Sequence, residues 1–428
     1  MPNSLASSPA DAPDIDAASF AGVLRVLPHR AQDLARLAML RGGGAPVVTV
    51  IGKYNHGKSR LLNELMRRDA FAVADRRETV CLSECLHAGV RWLDAPGLDA
   101  DVAGADDRHA STALWVHADV RLFVHSVKEG ELDAAELALI EALRTDAVRT
   151  CRKALLVLSQ ADQAGEGAAL DRVVSAIAAQ VPDMPRHLVS ATRHRQGMEA
   201  AKALLVARSG IPALEAALSD ALACVGQARA HETELLAGEM RAELEAIALG
   251  QATALKALRQ READQRRAFE AELSALLETI GGEMAAVVDA PGPDLALVAD
   301  SAGTRYATTA AKQERARVQV AYSRACIRID ALLAGHGVSG LPRAQETAAA
   351  SLNTVMVAVM GVSVKFRADL RRLFCTALGR ARLHADFAYY FDLSKDRLRL
   401  RGEIAAAAAA REAAIEARMA LPAPETGA

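Results

Sequence analysis

The chain has 428 residues, enough for two or more domains, and is 51% hydrophobic but only 4% aromatic. That balance suits long helices packed through small side chains better than an aromatic-rich sheet sandwich. A formal net charge of −2 sets up no whole-chain field toward nucleic acid or an acidic membrane, so any such attraction has to come from a local patch.

Residues 1–16 are small, polar and Pro-containing, which predicts disorder, and they lack the basic-then-apolar order of a signal peptide. Over 17–43 apolar residues recur at helical spacing, interrupted by Pro28 and closed by "RGGGAP"; this segment is expected to join the helical region described below. Residues 44–222 alternate β-like runs, at 47–51, 90–93, 120–125, 155–158 and 187–189, with helical stretches such as "DAAELALIEALR" and "ALDRVVSAIAAQV". Alternation of this kind argues for βαβ units and a mostly parallel sheet. From 223 to 420 the pattern becomes alanine-, leucine- and charge-rich. The near-heptad stretch after "QARAHETELL" predicts one long helix or a helical hairpin, broken by "DAPGPD" at 289–294. Helical patterning resumes at "TTAAKQERARVQVAYSRACIRIDALLAG" and "FRADLRRLFCTALGRARLH", and ends in the alanine-rich "LRGEIAAAAAAREAAIEARMA"; residues 421–428 form a Pro-containing tail. The expected fold class is an α/β nucleotide-binding domain with a mostly parallel sheet, plus a mainly α-helical bundle or stalk. The chain has no uninterrupted apolar stretch of ~18 residues, so no spanning helix is expected. The six cysteines show neither CxxC spacing nor histidine clustering. Cys81 and Cys85 do not make the set a zinc site needs, and reduced thiols in a cytosolic protein are expected.

The chemistry begins at Gly52-Lys53-Tyr54-Asn55-His56-Gly57-Lys58-Ser59, which fits GxxxxGK[ST] between a β-like run and the helical "RLLNELM" that starts at Arg60. Glycines let backbone N–H groups turn toward phosphate oxygens, and the following helix N-terminus adds partial positive charge. Lys58 would reach the β- and γ-phosphates and Ser59 would ligate Mg²⁺. Downstream, "VRWLDAPGLDA" puts Asp94 at a strand end, where it can hold the Mg²⁺ shell, and Gly97 where its N–H can sense the γ-phosphate. Between them, Thr79 is the candidate mobile-loop ligand of Mg²⁺, with Ser83 as its competitor. For the base, "LLVLSQADQ" offers Ser159, Gln160 and Asp162 after an apolar strand. A carboxylate accepts from both guanine N1–H and the exocyclic amine, a donor pair adenine lacks, so GTP is favoured. In "HLVSATR", Ser190 and Ala191 can present a backbone amide to guanine O6.

The series GKYNHGKS, Thr79, DAPG, SQAD and SAT, in that order, resembles the five motifs of translation-factor-type GTPases. The "G-x-(F/Y)-N-x-G-K-S-x-L-L-N-x-L" form of the first is similar to the bacterial dynamin-like GTPase family. The resemblance is specific for residues 46–222 and architectural beyond. It implies GTP/GDP and Mg²⁺ as ligands, helical segments flanking the GTPase domain, and pairing of GTPase domains in a homodimer or with a partner dynamin-like protein. Two departures stand out. The usual (N/T)KxD is here SQAD, with Gln160 where a lysine stem would pack on the base, so weaker nucleotide affinity is expected. Leu98 follows Gly97 where many GTPases carry a water-positioning glutamine, and a leucine cannot orient water. Hydrolysis is then expected to need the loop backbone, Asn55 or His56, or a second protomer. For His56 the plainer reading is a side chain pointing away from the phosphates.

In the helical half, "ASLNTVMVAVMGVSVKF" (350–366) is the most apolar segment; it reads as a core piece or, by the resemblance, as a lipid-touching tip. Beside it, Lys365, Arg367, Arg371, Arg372, Arg380 and Arg382 surround Leu370, Leu373, Phe374 and Leu378. That pattern reads either as a solvated helix face or as a surface for anionic lipid or RNA phosphate. The leading expectation is a cytoplasmic, peripherally membrane-associated dynamin-like GTPase. The alternatives are an Era-like GTPase acting on RNA, for which no RNA-binding module is recognisable, and a nucleotide-gated scaffold with little hydrolysis.

Overall fold

The computed structural model describes residues 20–71, 83–95, 112–164, 167–299, 307–342, 345, 354–361 and 364–423. These fall into two compact units. The first comprises the described residues up to Ala246 together with those from Ala413 onward; the second is Ile247–Glu412.

In the first unit, α1 (Ala21–Val26) and α2 (Ala31–Gly42) precede β1 (Val47–Ile51), whose β-branched "VVTVI" is buried throughout. Then follow α3 (Lys58–Met66), β2 (Ser83–His87), β3 (Val90–Asp94), a π-helical turn at Thr112–His117, β4 (Val120–Ser126), α4 (Ala134–Thr150), β5 (Lys153–Ser159), α5 (Ala168–Gln180) and β6 (Arg186–Leu188). The short helices α6 (Ala191–Glu199) and α7 (Ala203–Arg208) and then α8 (Ile211–Ala223) complete the run. The sheet order is β2-β3-β1-β4-β5-β6, parallel except for β2, which pairs antiparallel to β3. The side-chain period of two divides the apolar residues between the faces. Val48, Val50, Leu122 and Val157 pack on Leu61 and Leu62 of α3 and Leu214 of α8. Ile51, Phe123, Leu156 and Leu158 pack on Ile140 and Leu143 of α4 and Ile177 of α5. Since β1 is flanked by β3 on one side and β4 on the other, the carboxyl end of β1 is a topological switch point, where ligands of open α/β sheets bind.

A single helix, α9, runs from Val225 to Val288, resolving the choice between one helix and a hairpin; the unit boundary falls within it. In the second unit α9 places Phe269, Leu273, Leu277, Ile280 and Met284 at steps of three and four. They meet Val318, Tyr322, Ala325, Ile329 and Leu333 of α10 (Ala310–Gly335), spaced the same way. The helices α11 (Val355–Met360), α12 (Arg367–Leu370), α13 (Ala377–Asp392) and α14 (Lys395–Ala420) follow. The described part of the apolar segment 350–366 contributes Val355, Met356, Met360 and Val364 to this core, and the Tyr322 hydroxyl donates to the carbonyls of Met360 (3.3 Å) and Gly361 (3.1 Å). The basic run that follows is not one helix: a π-helical turn at Arg371–Cys375 separates α12 from α13, burying Leu370 and Phe374 while Leu378 is exposed. Gly281 lets this turn approach α9 closely, since a Cβ there would lie 2.8 Å from the Phe374 carbonyl oxygen. No described helix is long and apolar enough to cross a membrane.

Candidate functional site

The loop between β1 and α3 wraps the carboxyl end of the sheet. Gly52 has φ +149°, and a Cβ on it would overlap the carbonyl oxygen of Val124 on β4. Asn55 (φ 59°) and Gly57 (φ 79°) are both left-handed, the kind of turn that lets backbone N–H groups line an anion-binding concavity at the start of α3. Lys58 is buried and its Nζ donates to the carbonyls of Gly52 and Lys53, both at 2.9 Å, so the ammonium lies across the mouth of the loop.

Ser59, one residue into α3, donates from Oγ to Asp94 Oδ2 at 2.5 Å, joining the phosphate loop to the end of β3. The other carboxylate oxygen, Oδ1, is buried and has no hydrogen-bond partner among the described residues. Burial raises the Asp94 pKa despite the Ser59 hydroxyl and nearby Lys58. A buried carboxylate with a spare oxygen beside a serine hydroxyl fits a hard divalent cation such as Mg²⁺, which takes oxygen ligands. Thr79 and Gly97 lie outside the described residues. Ser83, the competitor to Thr79, is the first residue of β2, paired in register with Asp94.

The base-side residues come together after β5. Ser159 Oγ donates to the His56 carbonyl (2.6 Å) and the His125 carbonyl (3.2 Å). Gln160, left-handed at φ 60°, donates from Nε2 to the Asn55 carbonyl (2.7 Å) and accepts from Ser126 Oγ (2.7 Å). The two residues by which SQAD departs from (N/T)KxD therefore tie the base loop to the phosphate loop through its carbonyls. Asp162 Oδ1 accepts from Ser190 Oγ at 2.6 Å, and the same hydroxyl accepts from Arg193 N as the N-cap of α6, with Ala191 its first residue. Arg60 is exposed, on the turn after Ser59.

His56 is buried and turned away from the concavity: its Nδ1 bonds the Val124 carbonyl at 3.2 Å, and burial lowers its pKa. Beneath it lies a group that the sequence did not single out. His125 Nδ1 meets Glu136 Oε1 at 2.9 Å and Nε2 meets the Gly130 carbonyl at 3.0 Å. Burial alone would lower the His125 pKa, but these bonds outweigh it and raise it.

Asn63, the asparagine of "LLNEL", closes the far end of α3. Its Oδ1 accepts from the backbone of Ala70 and Phe71 and its Nδ2 donates to the Phe71 carbonyl. At the opposite, amino end of the sheet sits a second unpredicted feature, a buried ion cluster. Arg36 of α2 donates to Glu232 of α9 (3.0 and 2.7 Å), to Asp119 (3.0 Å) and to the carbonyls of Val116 and His117. Arg152 donates to the carbonyls of Trp115 and Ala118 and pairs with Asp146 and Glu232. Arg229 pairs with Asp119. Arg121, fully buried, donates to Asp146 at 2.6 Å; burial and neighbouring Arg152 bring its pKa down to about 10. The only sequence signal for this cluster is arginine at positions of helical or strand runs that otherwise face the core.

Residues 47–160 match the family model described as a 50S ribosome-binding GTPase. An uncharacterised protein of Acinetobacter baylyi is 48% identical over 383 residues, which cover 89% of this chain and 91% of that protein. Among solved structures, Era of Aquifex aeolicus bound to GDP and aluminium fluoride is 20% identical, with a TM-score of 0.30; the match covers 38% of this chain and 56% of Era, so little more than half of that protein is spanned. Toc33 from Arabidopsis thaliana, in complex with GDP and Mg²⁺, is 17% identical over 41% of this chain and 80% of its own, with a TM-score of 0.28.

Proposed function

The chain belongs to the same family as the Acinetobacter baylyi protein and carries a P-loop GTPase domain that binds guanine nucleotide, and on that footing we propose that it hydrolyses GTP and passes its nucleotide state to the helix α9. The observation that carries the reading is Lys58 lying across the carbonyls of Gly52 and Lys53, with the adjacent Ser59 bonded to Asp94 at the end of β3. Lys58 would turn from the loop carbonyls to the β- and γ-phosphates, with the loop N–H groups binding the remaining oxygens. Ser59 and Asp94, with Thr79 as the further expected ligand, would hold Mg²⁺, which would neutralise charge on the phosphate oxygens. Asp162, fixed by Ser190, would read the guanine N1–H and amine.

The route to α9 that we propose runs through the π-helical turn Thr112–His117, on the segment that joins β3 to β4. The carbonyls at its end are held by Arg36 and Arg152, both of which also pair with Glu232 of α9. The finer reading is a dynamin-like GTPase with slow basal turnover, stimulated by pairing of GTPase domains and acting peripherally at a membrane. It is supported by the form of the first motif and by Leu98 in place of a water-positioning side chain.

Turnover of GTP measured across protein concentration tests this. A rate per molecule that climbs with concentration supports pairing, whereas a flat, near-zero rate reduces the protein to a nucleotide-gated scaffold. GDP that binds no tighter than ADP would overturn the guanine assignment to Asp162. Vesicles of anionic lipid that fail to sediment the protein with any nucleotide would remove the membrane from the reading.

A further inference from the structure

The carboxyl end of β4 touches both the phosphate loop and the loop after β5. The Val124 carbonyl accepts from His56 and lies against Gly52; the His125 carbonyl accepts from Ser159; Ser126 Oγ donates to Gln160. The His125 side chain points to the other face of the strand, toward α4. There Glu136 bonds it, and the same carboxylate accepts from Asp133 N, in the capping box that starts the helix. The ring of His56 stands edge-on to that of His125, with centroids 5.2 Å apart at 87°. Lys53 of the phosphate loop pairs with Asp133 and lies 3.6 Å from Glu136. The groups facing His125 are therefore Glu136 and Asp133 at the start of α4, and His56, Lys53 and the more distant Lys58 from the loop.

Both ring nitrogens of His125 face oxygen acceptors, and only an imidazolium can donate to two acceptors at once. A neutral ring would set a lone pair against either the Glu136 carboxylate or the Gly130 carbonyl. It would also leave the Glu136 charge, buried beneath the phosphate loop, with Lys53 as its remaining cation. The same saturation argues against reading His56, His125 and Glu136 as metal ligands, although their donor atoms lie within 4.8 Å of one another.

We propose that His125 and Glu136 form a positioning pair for the nucleotide site: the charged pair fixes the phosphate and base loops in their binding arrangement, so guanine-nucleotide affinity depends on protonation of His125. This rests on the guanine-nucleotide reading above. Neither residue touches the nucleotide concavity, and both act through His56, Lys53 and the end of β4.

The test is GDP affinity of the full chain, measured by calorimetry from about pH 5.5 to about pH 9, a range that brackets imidazole titration. The His125 pKa is raised above that of a free imidazole by its bonds to Glu136 and Gly130, so the charged form is favoured toward the acid end of this range, and affinity is expected to fall about tenfold as the pH rises through the His125 pKa. His125→Gln is expected to give a flat profile at the weaker affinity. Glu136→Gln, which keeps an acceptor but removes the charge, is expected to move the midpoint of the fall to lower pH and carries the test if His125→Gln does not fold. Titration of the nucleotide's own phosphate is common to all three proteins, so the differences between profiles isolate the pair. Variant profiles that superpose on the wild type overturn the proposal while leaving the functional reading intact. Failure of the wild-type chain to bind GDP at any pH overturns both.

Discussion

Replacing Arg36 by Met removes the residue on which the ion cluster at the amino end of the sheet converges. The residue is 2% exposed, and its guanidinium makes five hydrogen bonds, to Glu232, Asp119 and two carbonyls of the π-helical turn. Breaking a buried ion pair costs about 3–5 kcal/mol, mostly because the remaining charge is stranded. Here neither carboxylate is wholly stranded: Asp119 keeps Arg229 and the backbone N–H of Val47, and Glu232 keeps Arg152 at 3.3 Å. The lower end, about 3 kcal/mol, is therefore expected, or a fall in Tm of about 6–12 °C for a domain of this size. The assay is thermal unfolding of the full chain followed by circular dichroism, with Glu232→Gln and the double variant completing a cycle. Neutralising Glu232 should recover part of the loss, with a coupling of at least about 1 kcal/mol. Arg36→Lys should recover little, because one ammonium cannot span two carboxylates and two carbonyls as a planar fork does. A loss under about 1 kcal/mol, additive single variants, or a lysine variant as stable as the wild type would each refute the reasoning.

Lys58→Ala should weaken GDP binding more than a hundredfold, about 3 kcal/mol or more by equilibrium titration, with unfolding little changed. Gly52→Ala should lose nucleotide binding and about 3 kcal/mol of stability in denaturant titration, since its Cβ has no space against Val124. Asp94 has a raised pKa through burial, so its ionised form opposes folding and this penalty grows as pH rises through that pKa; Asp94→Asn should therefore raise the Tm of the nucleotide-free protein at pH 7 while abolishing stabilisation by Mg²⁺ with GDP. In the helical unit, Gly281→Ala should cost about 1–3 kcal/mol in urea unfolding by pressing on the Phe374 carbonyl, and Tyr322→Phe about 1 kcal/mol through its lost hydrogen bonds.

How much of this was readable in the sequence depended on whether the determining contacts were local. The phosphate loop was legible because strand, glycines, lysine and helix start lie within about twenty residues and each is required by backbone geometry. The parallel strands were legible as short apolar runs, whereas β2 was not: "SECLH" has no β-branched residue and, as an antiparallel edge, alternates only between half-buried and exposed. In SQAD the departures from (N/T)KxD were legible but their partners were not, since these are carbonyls about a hundred positions away and carbonyls leave no trace in sequence. In space, Ser159 and Gln160 reach two consecutive carbonyls of the phosphate loop, those of His56 and Asn55, which lie between its left-handed residues Asn55 and Gly57.

The buried charges were the least legible, since nothing in "AQDLARLAML" marks Arg36 as buried and its partner Glu232 is 196 residues away. Strand β4 shows what such placements accomplish. All seven of its residues are buried, yet it has Asp119 just before it and contains Arg121, His125 and Ser126. Asp119 and Arg121 join the cluster that holds α2 and α9, and His125 and Ser126 meet the nucleotide loops. An apolar strand of that length would satisfy the core equally well at lower desolvation cost. Buried charge at both of its ends is therefore explained by what those ends touch: in register with one rigid strand, the nucleotide loops and the anchor of the long helix are held to a common frame.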